Sequence, residues 1–455
     1  MNLQQHNIVK RPAHSPLALD RWLGEPGSLK RQATTAVIWL WFQGMMRGGV
    51  GVVLTSLLAH MLGASPYGLY AIAFSIFTIC LYLADAGIGS ALVQRDELTE
   101  KDIHVGHTVA VTQGIAVGSL LAIIAYPLAL IYKRPELFPV IAVCSIGVPI
   151  NSWGIVSMAL LRRSLRHRDS QWCNFAGYLA GQTIVAIPLA LMGFGAWALV
   201  FGLLAQQIVQ TSILYRLTRH SMKVNFAFDS TDRRFTYSIL VQNAATSLLQ
   251  FMDQLALGRF ATNREVGWYN RAKWSYEAPL GFVVTSLQTV GLAASARSQT
   301  DSRRLGRIAI KTAMASLASG LIVAVAYTLW SKQVVHLILG PKFAPAAALL
   351  PILGIERLLW CTLSPLGAVL NGAGHPEVEA KALIVIVPFA AIVFALAAPH
   401  GLYALAVGLL IVTTMRLIVQ VSAVVWVLKK VEQKARQVAA ELAGSSATGP
   451  LEVEN

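Results

Sequence analysis

Polar side chains capable of chemistry sit inside long apolar runs of this chain, and they recur at helical spacing. Gln43 and Arg47 lie one turn apart. Gln242, Thr246, Gln250 and Asp253 follow one another at i, i+4, i+8 and i+11, which places all four on one helix face, widened by Asn243 and Ser247. Thr413, Arg416 and Gln420 repeat the pattern at three- and four-residue steps, and Arg357, Cys361 and Ser364 form a further stripe, as do Gln206 and Gln210. A charge at the centre of a bilayer costs roughly 2.5–3.5 kcal/mol on insertion scales, so such residues face either a partner or a wet cavity. On the first reading the stripes line a hydrophilic passage in which Arg47, Arg357 and Arg416 meet an anionic solute. On the second they are interhelical hydrogen bonds and buried ion pairs, for instance Arg47 with Asp253. Asp85 and Asp253 are candidates for coupling to an ion, H+ or Na+, although Asp85 comes late in its run and equally suits the bracing of a helix end. Glu356 and Arg357 are chain neighbours, and neighbours on a helix point apart, so they are not expected to form a self-contained bridge. None of these spacings is a catalytic or metal-ligand set, and no cofactor is implied.

The elements that must position these residues follow from composition. Of the 455 residues 55% are hydrophobic and 13% charged, with mean hydropathy +0.57. Soluble chains carry about 25% charge, so this much apolar surface requires a bilayer. A span needs about 20 mostly apolar residues. Twelve candidates are found, at roughly 36–59, 67–91, 106–131, 138–161, 172–192, 196–215, 236–258, 276–295, 306–330, 344–370, 380–398 and 402–427. The expected organisation is a polar lead over 1–35, six spans over 36–215, a linker over 216–235, six spans over 236–427 and a tail over 428–455. With both termini in the cytosol, 25 of the 37 Lys and Arg residues fall on the cytosolic side and 8 on the other, as the positive-inside rule expects. The cluster at 259–273 is the one exception. The net charge of +15 is thereby explained without nucleic acid. The loop Arg162-Arg163-Ser-Leu-Arg166-His-Arg168 suits orientation and attraction to anionic lipids, or a first contact with a phosphorylated lipid carrier. Cys80, Cys144, Cys173 and Cys361 lie apart in apolar runs and suggest neither disulfide nor metal.

The two halves echo each other. Gly195-Ala-Trp-Ala-Leu-Val-Phe-Gly-Leu-Leu204 matches Gly401-Leu-Tyr-Ala-Leu-Ala-Val-Gly-Leu-Leu410 at an offset of 206, and Tyr67-Gly68-Leu69-Tyr70 matches Val266-Gly267-Trp268-Tyr269 at an offset of 199. Both offsets equal six spans, an even number. The expectation is therefore a parallel repeat with a pseudo-twofold axis along the membrane normal, its site between the halves and access alternating as one half rocks on the other.

Leu62-Gly-Ala-Ser-Pro-Tyr-Gly-Leu-Tyr-Ala71, Asp85-Ala-Gly-Ile-Gly-Ser-Ala-Leu-Val-Gln-Arg95, Gly195-Ala-Trp-Ala-Leu-Val200 and Gly267-Trp-Tyr269 together resemble the Wzx-type polysaccharide flippases, in particular the colanic-acid-exporter-like branch. These belong to the multidrug/oligosaccharidyl-lipid/polysaccharide exporter superfamily. The resemblance covers about residues 35–430. It implies an all-α integral membrane protein of about twelve helices in two six-helix bundles around a cationic cavity. It also implies an undecaprenyl-pyrophosphate-linked oligosaccharide as solute, a bacterial inner-membrane location, and a role in exopolysaccharide or lipopolysaccharide synthesis beside other assembly proteins. Alternatives within the superfamily are a multidrug or cation antiporter and a lipid II flippase. A membrane glycosyltransferase or polymerase is the alternative from another class, and it would need a large external loop that this chain lacks.

Overall fold

A computed structural model describes residues 48–447 apart from 86, 95–97, 165, 226–232 and 300. Gln43 and Arg47 lie outside the described residues, and so does much of the first expected span. Every regular element described is helical. In chain order they are α1 (Gly48–Leu62), α2 (Ala64–Asp85), α3 (Ile88–Gln94), α4 (Glu100–Ile131), α5 (Leu137–Cys144), α6 (Gly147–Trp153), α7 (Ile155–Arg163) and α8 (His167–Leu179). A π-helical turn, Ala180–Ala186, leads to α9 (Ile187–Leu191) and α10 (Ala196–Thr218). The second half holds α11 (Arg233–Phe260), α12 (Asn263–Ala296), α13 (Ser302–Leu329), α14 (Ser331–Ile338), a 3₁₀ segment (Pro341–Leu349), α15 (Leu350–Gly372), α16 (Pro376–Ala397) and α17 (Leu402–Ala447). Among the described residues nine helices are long and apolar enough to cross a bilayer, with α12, bent by 49° near Gly281, as a tenth. These ten correspond to ten of the twelve expected spans. The seventh is helical but too polar to qualify.

Local chemistry explains the breaks. Thr99 and Asp102 cap α4 reciprocally, each side chain accepting from the other's backbone N–H. Pro279 lies two residues before the bend in α12, where it removes a backbone hydrogen bond. Pro188 does the same just after the π turn, whose wider winding accommodates the lost donor. Gly195 and Gly401 both take positive φ, 57° and 92°, at the tight turns before α10 and α17. That shared demand gives the longer sequence echo its physical reason.

Contacts divide the chain into two compact units. The first is Met1–Arg271 with Val335–Ala346 and Ala398–Leu402, and the second is Ala272–Val334 with Ala347–Ala397 and Tyr403–Asn455. In the first, α4 packs on α5 and α6, α10 on α8 and the π turn, and α11 on α2. In the second, α13 packs along α15. The four cysteines are free and buried.

The end of α10 carries a small device of its own. Arg219 turns the chain with φ 43°, and His220 folds back until it is 7% exposed. Its ring lies 5.3 Å from that of His107, and its Nδ1 reaches Thr218 Oγ1 at 3.1 Å and Ser157 Oγ at 3.4 Å. Asn225 then donates its backbone N–H to Thr108 Oγ1 at 2.9 Å, tying the linker to α4. Burial pushes the His220 imidazole down from 6.5 to about 4, helped by His107 and His104. Below 6.5 the unfolded chain binds a proton that the folded chain refuses, so stability falls as the pH drops from 6.5 through about 4. His220→Gln is expected to flatten that acid limb of the thermal midpoint against pH. An unchanged limb would show that other groups set it.

Candidate functional site

In the first unit the polar face of α11 divides. Thr246 and Gln250 are exposed on the protein surface, whereas Asp253 is fully buried and accepts a 2.6 Å hydrogen bond from Tyr269. Gln242 lies in α11. One residue on, Gln254 begins a chain of polar contacts that the i, i+4 stripe does not reveal. Its amide nitrogen donates to Ala71 O and Ser75 Oγ, and its oxygen accepts from Asn270 at 2.6 Å. Asn270 in turn accepts from Arg271, whose guanidinium stands 4.5 Å over the Tyr67 ring. A stripe search selects residues above one another, and Gln254 points about 100° away from Asp253. The signal that could have found it is the Tyr-Asn-Arg run at 269–271, polar groups in the opening turns of a helix.

Asp85 braces a helix in this structure. Its carboxylate accepts from the Gly89 backbone at the start of α3, and Arg163 caps the other end by donating to Leu92 O and Val93 O. Thus α3 is held by an acid where backbone N–H groups are orphaned and by a base where carbonyls are. Arg166 of the same basic loop pairs with Asp169.

In the second unit Arg357 and Glu356 are 4% and 1% exposed. Contrary to the expectation for chain neighbours, Arg357 Nε comes within 2.9 Å of Glu356 Oε2, without the alignment of a hydrogen bond. The long side chains curl toward one another although their Cβ bonds diverge. Arg357 Nη2 also reaches Glu277 at 3.4 Å, and its guanidinium lies 5.1 Å over Trp360. Thr413 donates to Glu356 Oε1 at 2.9 Å. Arg416 sits in the field of Glu379 and Glu356. The buried amide of Gln420 lies against Gly367 beside the Glu379 carboxylate. The sequence stripes picked Arg357, Arg416, Thr413 and Gln420 and missed Glu277 and Glu379. Both acids fall at the ends of apolar runs, where a carboxylate reads as a solvated boundary. Gln206 and Gln210 pack on the backbone of Gly177 and Gly181, and Ser364 accepts from Gln288.

Nine helices long and apolar enough to cross a bilayer, among the described residues, define an all-α membrane fold. Solved structures share it. A lipid II flippase, MurJ, in an inward closed conformation superposes with TM-score 0.69 over 91% of this chain and 94% of its own, at 10% identity. An inward-facing multidrug resistance MATE family transporter of the MOP superfamily gives 0.64 over 85% and 95%, at 15% identity. Residues 57–348 match the family model described as polysaccharide biosynthesis protein, and the chain belongs to that family. Among curated relatives, the succinoglycan biosynthesis transport protein ExoT of Rhizobium meliloti (strain 1021) is 24% identical over 72% of this chain and 67% of its own. The lipopolysaccharide biosynthesis protein WzxC of Escherichia coli (strain K12) is 21% identical over 78% and 73%.

Proposed function

We propose that this protein is a flippase that turns an undecaprenyl-pyrophosphate-linked oligosaccharide from the cytosolic to the outer leaflet of a bacterial inner membrane, for exopolysaccharide or lipopolysaccharide synthesis. It catalyses no covalent step. The observation that carries the reading is α11. It is 28 residues long, long enough to span, yet too polar to sit in lipid on all sides. It exposes Thr246 and Gln250, hydrogen-bonding groups suited to sugar hydroxyls, on the same helix that buries Asp253. Membership of a polysaccharide biosynthesis family and relatives named for transport support the same solute class. Both termini lie in the cytosol on the charge bias of the connections. Alternating access is coupled to H+ or Na+, with Asp253 as the candidate carrier. The protein works beside other polysaccharide-assembly proteins.

The test is reconstitution into vesicles with a fluorescent lipid-linked oligosaccharide whose outer-leaflet pool is quenched chemically. Protein-dependent exchange between leaflets is expected. Thr246→Leu with Gln250→Leu should slow it about tenfold, a loss of roughly 1.4 kcal/mol, without lowering the thermal midpoint. Equal movement of lipid II, or of cationic dyes in place of the oligosaccharide, would overturn the assignment of solute.

A further inference from the structure

The shorter sequence echo becomes a physical contact. Within the first unit, the opening turns of α2 cross the opening turns of α12 at Gly68 and Gly267. A Cβ on Gly68 would overlap the carbonyl oxygen of Asn263, and a Cβ on Gly267 would overlap that of Ala64. The two clashes are mirror partners. Each glycine meets the residue four places before the other, so residues 64 and 68 stand to 263 and 267 as those stand to them. A pseudo-twofold axis passes between the glycines, and it relates the repeat positions that the 199-residue offset picked out.

The surroundings are polar. Arg134, in the turn after α4, donates to Asn263 Oδ1 and Ala261 O, and Asn263 donates to Glu136 at 2.8 Å. Burial pulls the Arg134 guanidinium down, while Glu136, Tyr132 and Glu265 hold it up. Lys342 donates to His60 O and Met61 O, both at 3.3 Å, and its own carbonyl accepts from Trp268 at 3.1 Å. Below the crossing Gln254 bridges to Ser75, which is fully buried.

This junction combines a close backbone approach with polar bonds at its rim. At the crossing backbone meets backbone, flanked by the Arg271 guanidinium over the Tyr67 ring. The latch bonds at Asn263 and Lys342 that cross between the halves are exposed, and water can replace them. Every partner on one side comes from residues before 216 and every partner on the other from residues after 235, so the crossing joins the two halves of the repeat.

We propose that the Gly68–Gly267 crossing is the extracytoplasmic gate of the passage, a backbone seal latched by Arg134, Asn263 and Glu136. The side of the membrane and the passage itself rest on the transport reading above. A side chain at either glycine holds the gate open.

Ser75→Cys serves as the reporter, read by a membrane-impermeant maleimide added to the extracytoplasmic side of oriented vesicles. In the otherwise native chain the thiol is expected to be shielded. Adding Gly68→Ala or Gly267→Ala should raise labelling at least about tenfold, because labelling follows the open population. Unchanged labelling in variants that elute as the native protein does overturns the proposal. Should the glycine variants fail to fold, Arg134→Cys with Asn263→Cys, joined by a short bifunctional methanethiosulfonate, provides the second arm. The bridged protein should shield Ser75→Cys and stop oligosaccharide exchange until reduced. Labelling or exchange that ignores the bridge overturns the gate. The maleimide readout needs no substrate, so a wrong solute assignment and a wrong gate give different results.

Discussion

Arg357→Leu is expected to cost about 3–5 kcal/mol, the range seen when one partner of a buried ion pair is removed and the other is left charged. Glu356 would then stand 1% exposed, bonded to the Thr413 hydroxyl and with only the more distant Arg416 charge to offset its own. Glu277 would lose its cation as well. The expected result is a sharp fall in the yield of monodisperse protein and in its thermal midpoint. The double change Glu356→Gln with Arg357→Leu should recover most of the loss, since it removes both charges together. A single variant as stable as its parent would show that the cluster is solvated and adds nothing to the fold. The same geometry bears on solute recognition. A cation already shared between two carboxylates has little charge left for a pyrophosphate, and any anion drawn to Arg357 must compete with Glu356 and Glu277.

Gly181→Val is the second large effect, and its cause is steric. A Cβ there would overlap the carbonyl oxygen of Gly202 and come within 2.8 Å of Gln206 Cβ. The neighbour is backbone on one side, so α10 must move away from the π turn. Ordinary overpacking costs about 1–3 kcal/mol, and a displaced helix pair belongs at the upper end. In a bilayer this matters more than usual, because close approach of small residues is a main source of helix association. Gly193→Ala meets nothing within 4 Å but sits at φ 82°, and should cost only about 1 kcal/mol of backbone strain. Gly49→Ala, in open space on α1, should be neutral or stabilising by up to about 1 kcal/mol. Thermal midpoints in one detergent check the order Gly181→Val below Gly193→Ala below Gly49→Ala. Any other order would mean that close approach is not what limits this bundle.

What the sequence disclosed was whatever one-dimensional periodicity can carry. Long apolar runs located nine spans to within about six residues, because the bilayer dictates their length, whereas the helix of the eighth begins at Asn263, well before the expected 276. Helical spacing put Thr246 and Gln250 together on α11. It could not foresee that Asp253, on the same stripe, would be buried against Tyr269, since the partner arrives from the next helix. Asp85 illustrates a tie that the sequence left open between ion coupling and helix bracing. In the fold its carboxylate accepts from the Gly89 backbone at the start of α3. Glu356 and Arg357 show the opposite limit. The rule that neighbours point apart holds for Cβ directions, and two long flexible side chains in a greasy surround override it. Glu277 and Glu379 went unnoticed because hydropathy treats a carboxylate at the end of a run as the start of water. The ion pair with Arg357 and the field at Arg416 tie both, half-buried, to the buried charges instead.

The left-handed turns at Gly195 and Gly401 have a consequence for tracing ancestry. Duplicated segments drift until little of the original wording survives, and identity between helices rich in leucine and alanine is a poor witness. A residue whose torsion angle excludes every other common amino acid drifts far more slowly. Distant members of this group are therefore best registered on their obligatory glycines first, with the intervening apolar stretches allowed to slide.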